Sequence, residues 1–108
     1  IKGGEDLLNM SYYTDAILYA SCVGGEEQQQ LTDRINRFFW DEEFEEYSQI
    51  GFVVPGEIRG LWIGSLRNID VEALVEHLRN IDWGELKFPV QLMVKGEDDD
   101  RFKIIDVL

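Results

Sequence analysis

The chain has 108 residues, the size of a single domain with room for a buried core. Its 22 acidic residues outnumber 10 basic ones, for a formal charge of -12, and such a field repels nucleic acid and anionic membranes while attracting basic partners. A hydrophobic content of 44% excludes intrinsic disorder at that charge, and no apolar run reaches the length of a membrane-spanning helix.

Residues 1–9 precede Met10-Ser11, which resembles a native start, and read as a flexible N-terminal extension; residues 10–108 read as one α+β domain. Tyr12 to Val23, rich in aromatic and β-branched residues, predicts a first strand. Ala16, Leu18, Ala20 and Cys22 fall on one face, with Ile17, Tyr19 and Val23 on the other, so the expectation is a central strand covered on both faces. Cys22, the one cysteine, excludes an internal disulfide and reads as a small buried hydrophobe. A cytoplasmic protein is the simplest match to that usage.

Gly24-Gly25 interrupts the chain, and Glu26 to about Trp40 predicts the first helix. Leu31, Ile35, Phe38 and Phe39 recur at the spacing of one buried stripe. Glu26 and Glu27 at the start, with Arg34 and Arg37 near the end, suit the helix dipole. The segment Phe38-Phe39-Trp40-Asp41-Glu42-Glu43-Phe44-Glu45-Glu46-Tyr47 follows, and no Lys or Arg relieves its charge as far as Glu57. Trp40, Phe44 and Tyr47 keep helical spacing among acids that repel one another. Gly51 to Gly56 suits a short strand, though Pro55 and Gly56 disqualify it from the middle of a sheet.

Ile58 to Leu66 predicts the second main strand. Gly60 and Gly64 share a face with Trp62, leaving space beside the indole for a helix, a partner or a bulged backbone. Asp70 is positioned to cap a second helix from Val71 to about Ile81, with a core stripe of Val71, Leu74, Val75, Leu78 and Ile81. Trp83-Gly84 closes it, Gly84 being suited to a left-handed cap. Phe88–Lys95 and Arg101–Leu108 predict a terminal hairpin around Gly96-Glu97-Asp98-Asp99-Asp100. The order predicts an α+β two-layer sandwich, a mainly antiparallel sheet of four or five strands with two helices on one face; ferredoxin-like winding fits it.

Catalytic signals are absent. His77, the one histidine, has no carboxylate in local register to orient it and reads as a boundary surface residue. Neither Ser65 nor Cys22 sits in a nucleophile motif. Gly24-Gly25 lacks the phosphate-binding fingerprint, and Glu26 and Glu27 would repel phosphate there. The acids from Glu97 to Asp100 are consecutive, whereas calcium loops use alternate positions. Carboxylates are plentiful, but no spacing marks a glycosidase pair. The expectation is therefore no enzyme, no cofactor and no metal.

The acidic-aromatic segment supports a docking surface. Carboxylates along a face can occupy Lys and Arg sites that otherwise hold phosphates, while aromatic rings supply desolvated anchors. The predicted partner-binding set is Trp40, Asp41, Glu42, Glu43, Phe44, Glu45, Glu46 and Tyr47, joined by Asp98, Asp99 and Asp100. The expected function is a non-enzymatic inhibitor of a basic, nucleic-acid-handling protein such as a nuclease or toxin. Size and charge match the immunity, antitoxin and anti-defence kinds that mimic nucleic acid, with no motif behind the match. Direct nucleic-acid and membrane binding are not expected, and the chain reads as a monomer or weak homodimer. The alternative is an assembly subunit that self-associates through a sheet edge or an apolar face such as that of Trp62, and a small hydrolase ranks third.

Overall fold

A computed structural model describes residues 12–20, 24–39, 51–56, 59–84 and 89–108. Its elements are β1 (Tyr13–Ala20), α1 (Gly25–Asn36) with a 3-10 turn (Arg37–Phe39), β2 (Leu61–Arg67), α2 (Val71–Asn80), β3 (Val90–Gly96) and β4 (Lys103–Asp106). The expected N-terminal extension lies outside the described residues. Cys22 and Ile58 do also.

The four strands form one antiparallel sheet in the order β2-β1-β3-β4. β1 is central, as its composition predicted. β2 and β3 both run antiparallel to β1, so they run parallel to each other, and α2 carries the chain from one to the other across β1. The class is the expected α+β one, and the winding is ferredoxin-like once the bridged segment around Val53 is counted as the second strand in chain order. That winding separates the first and second strands by the third, and here β2 lies between β1 and the Val53 segment, with β3 on the other side of β1 and β4 added beyond it. Val53 pairs with Ile63 through two 2.8 Å hydrogen bonds on the outer edge of β2. The Gly51–Gly56 segment thus takes an edge position, where Pro55 loses no ladder bond.

Alternation decides which face of the sheet is covered. Ala16, Leu18, Ala20, Trp62, Leu66, Val90, Leu92 and Val94 are buried against Leu31 and Ile35 of α1 and Leu74, Val75 and Leu78 of α2. Both helices therefore lie on one face. Burial of each large aliphatic side chain contributes about 1.5–3 kcal/mol. Trp62 is fully buried, its indole Nε1 donating to Thr32 Oγ1 at 2.8 Å while that hydroxyl donates to the Gln28 carbonyl at 2.7 Å. The space beside the indole is filled by backbone: a Cβ on Gly64 would lie 2.7 Å from the Gly51 carbonyl oxygen. Self-association through the Trp62 face is thereby corrected, since that face is the core.

The opposite face departs from expectation. Tyr13, Asp15 and Tyr19 of β1 are exposed and Ile17 is half-buried, so this strand is central by pairing but not covered on both sides. Asp70 caps α2 as predicted, its carboxylate accepting from the Ala73 N–H at 3.2 Å. Gly84 is left-handed at φ 70°, but in the turn after the helix, which ends at Asn80. There the Asp82 carboxylate accepts its N–H at 2.7 Å. No helix among the described residues is long and apolar enough to cross a membrane.

Candidate functional site

Of the predicted partner-binding residues, Trp40 to Tyr47 lie outside the described residues. Asp98, Asp99 and Asp100 lie at the tip of the β3–β4 hairpin, all exposed. The tip is built by its own acids. Asp99 accepts the Gly96 N–H at 3.0 Å on Oδ2 while its own N–H donates to the Gly96 carbonyl at 3.1 Å. Glu97 reaches the start of β1, where Oε1 accepts the Tyr13 N–H at 2.9 Å. Asp99 therefore holds the turn, and Asp98 and Asp100 flank it with their carboxylates in solvent. The acids do not converge on a cation. Among the described residues no group of three or more His, Cys, Asp and Glu side chains is placed to hold a metal ion.

His77 has a structural task that its sequence surroundings did not signal. It is half-buried, with Nε2 2.9 Å from the Arg34 carbonyl oxygen and 3.2 Å from that of Ile35. Two carbonyl acceptors require the proton on Nε2, so the imidazole satisfies the open C-terminal end of α1. The Phe38 ring packs beside it at 5.4 Å between centroids. Ser65 sits exposed on β2, facing away from both helices.

The feature that sequence reasoning passed over is a sheet face that no described element covers. Register places one apolar side chain from each strand in a single cross-strand row, running Val53, Ile63, Ile17, Met93, Ile104. Val53 is 55% exposed and Ile104 63%, with Ile63 at 37% near the middle. Tyr13, Tyr19 and Phe102 add further exposed rings to this side. An open groove of about 710 Å³ runs along part of it, lined by Ile17, Val53, Ile63, Tyr13, Phe102 and Arg67 among others. Among the described residues this side carries Asp15, Asp106 and Glu97 against Lys95 and Arg67. The signal available in the sequence was the apolar odd-numbered set of β1, which read as a second buried face.

The described residues define a small α+β two-layer domain with exposed acids and one partly apolar sheet face that none of them covers. No protein-family model, no curated protein and no solved structure matches the chain.

Proposed function

We propose that the chain is a non-enzymatic, acidic protein-binding domain that inhibits a basic, nucleic-acid-handling protein in the cytoplasm, by presenting carboxylates where that protein binds phosphates. The observation that carries this reading is that every described Asp and Glu is exposed. An enzyme that works through carboxylates tends to bury or pair at least one, because burial tunes its protonation. Here the acids instead supply surface charge, with Asp98 and Asp100 projecting from a turn that Asp99 and Glu97 brace. The acidic-aromatic segment from Trp40 to Tyr47 supplies the anchoring rings in this reading, and charge at the hairpin tip adds to the same field.

The test is capture from host lysate treated with nuclease, at low and high salt. The wild type runs beside a variant with Asp41, Glu42, Glu43, Glu45 and Glu46 replaced by Asn or Gln, and beside Asp98→Asn/Asp100→Asn. The expected result is one basic enzyme of nucleic-acid metabolism, held by the wild type, released by salt and lost from the five-acid variant. Its activity on DNA or RNA should fall when purified wild-type protein is added and stay unchanged with the variant. Equal capture by all three proteins, or capture without inhibition, would sink the reading.

A further inference from the structure

We propose that Arg79 is a latch on the outer edge of the sheet, holding β4 closed against strand pairing with a second copy of this chain. Register fixes which backbone groups of β4 face outward. The Val107 N–H donates to the Val90 carbonyl at 2.8 Å, and the ladder pairs Ile105 with Leu92 and Lys103 with Val94. Bonding alternates along an antiparallel ladder, so the odd-numbered residues of β4 direct their N–H and C=O groups toward β3. Those of Ile104 and Asp106 point away from the sheet. Among the described residues β4 is the last strand on this side, and it runs only from Lys103 to Asp106. Ile104 and Asp106 are therefore its whole outward edge.

Arg79 takes one of the two. From the last turn of α2 its Nη2 donates to the Asp106 carbonyl at 2.9 Å, so the guanidinium stands where the N–H of a neighbouring strand would. The opposite edge is closed in the same manner. Val53 pairs inward with Ile63, which turns the N–H and C=O of Phe52 outward, and both bond the side-chain amide of Asn36, the last residue of α1, at 2.8 Å. An open strand edge is a template for pairing with another chain, and short edge strands and blocked backbone groups suppress it.

The strand that the latch excludes is a second β4. Paired antiparallel about a two-fold axis at Ile104, it would set Ile104 against its own copy, Asp106 against Phe102 and Lys103 against Ile105, with no like charges directly opposed. That pairing needs the Asp106 carbonyl for its bonds beyond the central residue. Held by Arg79, the carbonyl is withdrawn, and the Ile104 pair alone is too little to align two strands. Loss of the latch also has a sign that charge does not imitate. Removing Arg79 makes a chain of charge -12 more negative, which by itself drives copies apart.

The experiment is sedimentation equilibrium of the full chain at about 0.5 M sodium chloride, where repulsion between anionic copies is largely screened. Arg79→Met keeps the apolar stem and removes the donors, and Arg37→Met makes the same charge change at an exposed site in the turn after α1. Arg79→Met should dimerise about ten-fold or more tightly than the wild type, with Arg37→Met unchanged. Adding Ile104→Pro removes an outward N–H without touching the ladder to β3 and should restore the monomer. Adding Ile104→Ala, which trims the side chain and keeps the N–H, should not. Circular dichroism checks that each variant is folded; Arg79→Ala and Asp106→Pro replace Arg79→Met and Ile104→Pro if either is not. An Arg79 variant that associates no more tightly than the wild type overturns the proposal, as does a dimer that the proline leaves intact.

Discussion

Asn36 commits both halves of its side-chain amide to one neighbour: Nδ2 donates to the Phe52 carbonyl at 2.8 Å, and Oδ1 accepts the Phe52 N–H at 2.8 Å. The amide thus imitates the edge of a strand and fastens the returning chain beneath the end of α1, with Phe52 fully buried in the core. Asn36→Ala leaves two backbone groups without partners, and each such loss costs about 1–3 kcal/mol. Urea denaturation should show a loss in that range or above; no shift in midpoint would mean that water replaces the amide. Two glycines provide a contrast. Gly64→Ala drives a methyl into the Gly51 carbonyl, 2.7 Å away, and backbone on both sides must yield, which costs about 1–3 kcal/mol. At Gly96 the added methyl meets the Tyr12 hydroxyl, the far end of an exposed side chain that can swing aside. Gly64→Ala should therefore lower the melting temperature clearly more than Gly96→Ala. The gap beside Trp62 was legible from the glycine spacing. Its filling was not, because Asn36 and Gly51 reach the site from a fold that local spacing does not encode.

Elements whose ends are marked by neighbouring residues were readable, and those defined by distant pairing were not. Asp70 three residues before Ala73, the Leu74–Leu78 spacing and the glycines at positions 24 and 25 are local signals, and each coincides with a helix end or stripe. Asp70→Ala should cost about 1 kcal/mol, with Asp70→Ser recovering most of it, because the hydroxyl can accept the same N–H. Thermal melts of the three proteins decide this; equal melting would show that the cap is replaced by solvent. The adjacency of β1 and β2 rests instead on pairing between residues some fifty positions apart, such as Tyr13 with Arg67. Nothing nearby announces that. The same applies to His77, whose partners in α1 lie more than forty positions upstream. The apolar odd-numbered set of β1 was visible but carried two meanings, a buried second face or an open one. Only the placement of both helices on the other side resolves it.

At the scale of the molecule, a surplus of twelve negative charges, with every described carboxylate exposed, makes the fold work against its own field. Compaction brings those charges closer than they are in the extended chain, so the repulsive energy is larger in the native state. Added salt shortens the screening length from about 30 Å at 0.01 M to about 8 Å at 0.15 M, which falls from the width of the domain to the spacing of neighbouring side chains. The melting temperature should therefore rise as sodium chloride increases over that range, opposite to a protein held together by surface ion pairs. Asp98→Asn/Asp100→Asn isolates the effect further. Neither side chain braces the hairpin turn, which rests on Asp99 and Glu97, so the double variant removes repulsion while the turn's bonds remain. It should melt higher than the wild type at low salt and respond less steeply to added salt. A melting temperature that falls with salt would mean that attractive charge pairs outweigh the net field, and that the acids are placed to hold the fold rather than to present charge.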